Sequence, residues 1–310
     1  LDHNGTTPLD PAVRAAMYPY LEEHFGNPSS SHFYGRRPRA ALATAREQVA
    51  ALLGCSPDEI IFTSGGTESN NQAIKSIGGD RRARGRHIIT SAIEHPAVLE
   101  VCHVLERQGF TITRVPVDRY GRVSVADVEA AIRAETVLIS IMLANNEVGT
   151  VQPIAEIGRL ARHHGILMHS DAAQAVGKMT TRVSELQVDL LSVAAHKIYG
   201  PKGIGALYVR KGIAPAIFCH GGAQERGWRG GTENIPAIVG LGVACEVIST
   251  GLADQIAHLR TMRERLERGL AAALPETRCN AHPQERLPNT ASISFGHIPA
   301  TRLLAALEHD

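Results

Sequence analysis

Short apolar runs alternate with stretches of helical periodicity along most of the chain. The runs at Glu59–Thr63, His87–Thr90, Thr111–Val115, Val137–Leu143, Ile166–His169, Leu190–Val193 and Ala206–Val209 predict strands. Pro96–Gln108, Ser124–Ala134 and Pro153–His164 carry the apolar spacing of helices. Short buried strands separated by helices imply a mainly parallel sheet covered on both faces, since each parallel crossover must return over one face. Asp10-Pro11 places a capping carboxylate before a proline at the first helical position, and Gly54 stops a helix ending at Leu53. Past Gly230 the pattern changes. Ile235–Ser249 and Ala253–Leu274 predict two long helices, the second rich in charge, followed by a strand at Thr290–Phe295 and an amphipathic helix at Ala300–Glu308. The expected architecture is α/β. Residues 12–250 would form a large domain, with residues 1–11 and 251–310 forming an N-terminal segment and an incomplete small α+β domain.

Composition narrows the function classes. The 310 residues carry 32 Lys+Arg against 31 Asp+Glu, which gives no electrostatic case for nucleic acid or an anionic membrane. No apolar run approaches the roughly 20 residues that span a bilayer. The chain opens at Leu1 without a signal-peptide pattern, so a cytoplasmic protein with a trimmed N-terminus is expected. Cys55, Cys102, Cys219, Cys245 and Cys279 are dispersed and form no CxxC pair, so neither a disulfide framework nor a zinc site is indicated. Histidine is plentiful, yet no HExxH or comparable ligand spacing occurs. The adjacent His163 and His164 sit where an amphipathic helix ends, and they read as solvated residues.

Candidate chemistry collects at the predicted strand ends, where open α/β sheets bind ligands. After Glu59–Thr63 comes Ser64-Gly65-Gly66-Thr67, a glycine turn leading into a helix, whose backbone N–H groups and dipole suit an anion. Taken alone, such a turn is commonly just a turn. Other strand ends carry Glu94-His95, Asn145-Asn146-Glu147, Asp171-Ala172-Ala173-Gln174 and His196-Lys197. Each could be a cap, a turn residue or surface charge. Together they place a carboxylate, an imidazole, amides and an amine around one crevice. Pyridoxal phosphate (PLP) needs such a set: an amine for its aldehyde, an acid for its ring nitrogen, donors for its phosphate and a flat partner for its ring. The candidates are Lys197, Asp171, the Gly66/Thr67 turn and His95, in that order. Neither GxGxxG nor GxxxxGK[ST] is present to support a nicotinamide or P-loop reading.

The chain resembles the cysteine desulfurase and selenocysteine lyase group of fold-type-I PLP enzymes, within the class-V aminotransferase superfamily. The shared motifs run from end to end: LDHNGTTPLDP at Leu1–Pro11, FGNPSS at Phe25–Ser30, FTSGGTESNN at Phe62–Asn71 and EHPAV at Glu94–Val98. LANNEVGT at Leu143–Thr150, HSDAAQAVGK at His169–Lys178, AHKIYGPKGIGALYVR at Ala195–Arg210 and GGAQERGWRGGTEN at Gly221–Asn234 continue the series. The resemblance implies that Lys197 holds the cofactor as a Schiff base and moves protons once released. It implies that Asp171 pairs with the pyridine nitrogen, His95 stacks on the ring, Gln174 bonds the phenolic oxygen and Asn146 orients cofactor and substrate. Gly66, Thr67 and His196 would serve the phosphate, and Thr232 would reach the phosphate of a partner subunit in a homodimer. The implied reaction converts L-cysteine to L-alanine, with sulfur passing to an enzyme cysteine as a persulfide and on to a sulfur-acceptor protein, as in iron–sulfur cluster assembly.

Two departures from the pattern stand out. Family members often carry a serine where this chain has Ala194, so one phosphate hydroxyl is missing, worth about 1.5–3 kcal/mol if nothing replaces it. The family's persulfide cysteine follows the helix that here ends at Leu307-Glu308-His309-Asp310, and is expected beyond Asp310, as is a substrate-carboxylate arginine. None of the five cysteines sits in a matching context. Three alternatives accompany a cysteine desulfurase: selenocysteine lyase, a C–S lyase needing no enzyme thiol, and a non-catalytic sulfur-transfer scaffold. Intact Lys197, Asp171 and His95 weigh against the last.

Overall fold

The computed structural model describes residues 2–79 and 85–308; Leu1 of the first motif and His309-Asp310 of the last lie outside them. Helices α1 (Pro11–Glu22) and α2 (Phe33–Leu53) precede the first strand, β1 (Ile60–Thr63). There follow α3 (Gly66–Gly79), β2 (His87–Ser91), α4 (Pro96–Arg107), β3 (Thr111–Val115), α5 (Val125–Ala131) and β4 (Thr136–Ser140). Next come α6 (Ile154–His163), β5 (Leu167–Asp171), α7 (Val183–Leu186), β6 (Leu190–Ala194) and β7 (Gly205–Val209). The chain closes with α8 (Ile235–Ala273), β8 (Thr277–Cys279), β9 (Ile293–Phe295) and α9 (Ala300–Leu307).

The first seven strands form one sheet in the order β1-β7-β6-β5-β4-β2-β3. Only β7 runs antiparallel to its neighbours; the other pairings are parallel, as the alternation of strands and helices predicts. Strands β1, β2 and β6 are buried at every position, covered on both faces of the sheet. The predicted strand Val137–Leu143 stops at Ser140. Beyond it the Ile141 and Leu143 N–H groups still donate to the His169 and Asp171 carbonyls of β5 at 3.2 and 2.9 Å, while the Met142 N–H donates to the buried Glu94 carboxylate at 3.0 and 3.1 Å.

The two predicted C-terminal helices are one. α8 runs unbroken through Thr250-Gly251-Leu252 and through residue 250, where the sequence places the seam between large and small units. Ser249 and Thr250 bond back to the carbonyls of Cys245 and Val247 at 2.8 Å, so both hydroxyls are absorbed within the helix. The first half of α8 contains a stretch apolar enough by length and composition to cross a membrane, and half of that stretch is buried in this structure. It packs against α1 and α2 so closely that a Cβ on Gly242 would stand 2.7 Å from the Ala45 Cα. The charged second half carries the small β8–β9 ribbon, which the sequence reading caught only at Thr290–Phe295.

Candidate active site

The carboxyl ends of β2, β4, β5 and β6 open on one side of the sheet, because these strands are parallel. The end of β1 joins them, since two antiparallel steps through β7 restore its direction. A cavity of about 270 Å³ at these ends is lined by Gly66, Thr67, His95, Asn146, Asp171, Gln174, His196 and Lys197. Eight of the nine residues the sequence singled out therefore meet. The ninth, Thr232, lines a separate cavity with Ser64 and Arg229.

Each residue is set by local structure. Gly65 has φ +148, which lets the chain turn from β1 directly into α3. The Ser69 N–H is the first in α3 to find its helical carbonyl, on Gly65 at 3.1 Å, so the N–H groups of Gly66 and Thr67 stand at the open end of the helix. A Cβ on Gly66 would lie 3.3 Å from the Ala194 Cβ, so only backbone fits that wall comfortably. His95 caps α4: its Nδ1 accepts the Ala97 N–H at 3.1 Å, which places the neutral ring's proton on Nε2.

Asp171 ends β5 and is 6% exposed. Its Oδ1 accepts the Ala173 N–H at 2.9 Å and its Oδ2 the Asn70 Nδ2 at 2.6 Å. Burial pushes its carboxyl up from the usual range, and these two bonds work against the rise. Nearby Glu94 is pushed up to about 8, chiefly by burial. Lys197 reaches over the N-terminal segment, donating to the carbonyls of Asn4 and, at 2.9 Å, Gly5. Burial lowers its amine from the ordinary lysine range, partly offset by Asp2 and Asp171. His196 Nδ1 meets the Thr6 hydroxyl at 3.2 Å, and burial together with Lys197 lowers the imidazole.

Sequence reading missed three participants. Asn70 lies one helical step beyond Thr67 on the same face of α3, and that spacing is a signal inside the quoted motif. Asn4 and Gly5 carry no local signal. They are held there by Thr7, which bonds the His196 carbonyl through N–H at 2.9 Å and hydroxyl at 3.0 Å, and by the Asn4 Nδ2, which donates to the Asn146 carbonyl at 3.1 Å. Among the described residues no cluster suited to a metal ion occurs, and no cysteine lines the cavity.

The sequence pattern of the family described as aminotransferase class-V matches residues 1–310. Over 308 residues the chain is 48% identical to the cysteine desulfurase IscS of Dictyoglomus turgidum (strain DSM 6724 / Z-1310), covering 99% of this chain and 78% of that protein. A solved structure titled a NifS-like protein superposes with a TM-score of 0.96 at 41% identity, covering 99% of this chain and 84% of the other. A second, titled SspA in complex with cysteine, gives a TM-score of 0.87 at 38% identity, covering 100% of this chain and 86% of the other.

Proposed function

The chain belongs to the class-V aminotransferase family, and from that premise we propose that the cavity at the strand ends holds its cofactor and receives its substrate. The protein is a cysteine desulfurase that uses pyridoxal phosphate and acts on cysteine. One observation supports the placement of the site: an amine, a buried carboxylate and the open end of a helix line the same 270 Å³ cavity.

The donor set fits the cofactor. The α3 N-terminus, the Thr67 hydroxyl and His196 suit the phosphate, and the absence of a hydroxyl at Ala194 leaves that side to backbone. The buried Oδ1 of Asn70 has no partner among the described residues, and its Nδ2 braces Asp171. When bound, the cofactor supplies an electron sink for the substrate's α-carbon. Asp171 would hold a proton at the ring nitrogen, His95 would lie against the ring, and Gln174 would offer its amide to the phenolic oxygen. Lys197, with its amine lowered by burial, anchors the cofactor and moves protons at the substrate carbon. Asn146 orients the substrate.

A homodimer is the proposed functional unit, with Thr232 reaching the partner's phosphate. The exposed aromatic cluster of Phe25, Phe33 and Tyr34 supports a covered surface. In the proposed reaction an enzyme thiolate attacks the substrate sulfur, and the S–S bond of a persulfide forms as the substrate Cβ–S bond breaks. The electron pair left on Cβ takes up a proton to give alanine, and the outer sulfur passes to an acceptor protein. A cytoplasmic setting suits the five unpaired cysteines. Reconstitution with PLP tests the site. The wild-type protein is expected to show a visible absorbance band, abolished by Lys197→Ala. A colourless protein that takes up no PLP would refute the reading.

A further inference from the structure

Lys178 is a buried cation that the chemistry above leaves unused. It is 7% exposed, and its Nζ donates to the Gln174 Oε1 at 2.9 Å. Burial and the charge of Lys197 pull the amine down to about 8. A buried ammonium without a counter-charge is costly, so its position calls for a role. The turn that carries it is built closely. Gly177 has φ +74, and a Cβ there would come 2.8 Å from the Ile248 Cδ1, so the turn is pressed against α8. The next N–H, that of Lys178, bonds the Ala175 carbonyl at 3.0 Å, and the side chain returns over Gln174. Across the adjoining cavity the titratable groups are Asp2, His3, Glu147, Lys197 and Tyr199.

We propose that Lys178 is a positioning residue that fixes which end of the Gln174 amide faces the cofactor. An ammonium donates and cannot accept, so the amide must turn its oxygen toward Lys178. Its nitrogen is thereby turned inward, where Nε2 donates to the Asn4 carbonyl at 2.9 Å. The amide carries a second proton, and that proton is left for an acceptor within the cavity. The inward orientation rests on two anchors, of which the Asn4 carbonyl is shared with Lys197. With Lys178 removed, only the Asn4 carbonyl holds the amide nitrogen inward, so the amide presents its donor to the phenolic oxygen less firmly.

This inference rests on the reading that Gln174 meets bound PLP, and the test separates the two. Wild type, Lys178→Met, Gln174→Ala and the double variant are loaded with PLP, and the midpoint pH of the visible band is titrated. Thermal unfolding of each protein is measured alongside. Loss of a donor to the phenolic oxygen is expected to raise the midpoint by about one pH unit in Gln174→Ala, the scale of one hydrogen bond to a charged oxygen. Lys178→Met is expected to move it the same way, and the double variant no further than Gln174→Ala alone. An unmoved midpoint in Lys178→Met overturns the inference while leaving the site intact. Additive shifts overturn it too, because Lys178 would then act as a bare charge. An unmoved midpoint in Gln174→Ala overturns the placement of Gln174, and the inference with it.

Discussion

At the scale of single residues, burial and hydrogen bonding set the charge each group carries. Asp171 is held by two N–H donors in a buried pocket, so replacing its carboxylate should alter chemistry more than structure. Asp171→Asn is expected to retain bound PLP yet lose most alanine production, because an amide does not keep the ring nitrogen protonated. Near-normal turnover measured on the reconstituted variant would show another group to be the ring's partner. His169 is a different case. Its Nδ1 meets Ser140 at 2.8 Å and its Nε2 meets Ser192 at 3.0 Å, tying β4, β5 and β6 across the sheet with a neutral ring. Burial lowers this imidazole to about 3 from an ordinary value of 6.5. The folded form therefore binds its proton less readily than the unfolded chain. The stability it contributes is present above about pH 6.5 and is lost as pH falls toward 3. Between pH 7 and pH 5 that loss amounts to about 2 kcal/mol. Urea unfolding at both pH values should show His169→Asn to be less stable at pH 7 but less sensitive to acid by that amount. Equal sensitivity in both proteins would contradict a neutral buried ring.

At the scale of elements, α8 shows two glycines with opposite tasks. A Cβ on Gly242 would lie 2.7 Å from the Ala45 Cα and 2.8 Å from its Cβ, so this glycine sets the spacing between α8 and α2. A Cβ on Gly251 would meet nothing within 4 Å, so there the helix carries only glycine's conformational cost. Gly242→Ala should destabilise by about 1–3 kcal/mol through overpacking. Gly251→Ala should stabilise by roughly 0.5–1 kcal/mol. Melting temperatures shifting in opposite directions would support this, and a shared sign would contradict a straight, continuous α8. The sequence predicts a break here, between a helix ending at Ser249 and one beginning at Ala253. The hydroxyls of Ser249 and Thr250 are absorbed by back-bonds within the helix, which runs on through Gly251.

At the scale of the whole molecule, the segment from Cys219 to Asn234 is pinned to the body by a buried ion pair. Arg46 from α2 holds Glu225 with two bonds of 2.6 and 2.8 Å, and Glu225 also accepts the Phe62 N–H at 2.9 Å. Glu225 and Arg226 hold left-handed backbone conformations, with φ of 46 and 58, so the loop is fixed in a shape that unconstrained residues avoid. Arg46→Met would leave the carboxylate buried without its partner and should cost roughly 3 kcal/mol in denaturant unfolding. Limited proteolysis should then cut first between residues 219 and 234. Unchanged stability and an intact loop would mean that other contacts hold it. The loop carries Thr232, so the same variant is expected to weaken the proposed homodimer.

The sequence by itself determined the strands, the parallel character of the sheet and the candidates at its edge. Those features follow from local apolar spacing and from residue types that end strands, both of which survive in a linear string. Thr67, His95, Asp171 and Lys197 could be picked out because each lies within a few residues of an apolar run. Only the tertiary structure decided that Asn4 and Gly5 lie against Lys197, that Asn70 braces Asp171, and that Lys178 faces Gln174. Asn4 reaches the site from 193 positions away along the chain, through contacts that no spacing rule encodes. Local patterning sets which elements form, whereas the company each side chain keeps, and so its charge and its task, comes from the packing of elements distant in sequence.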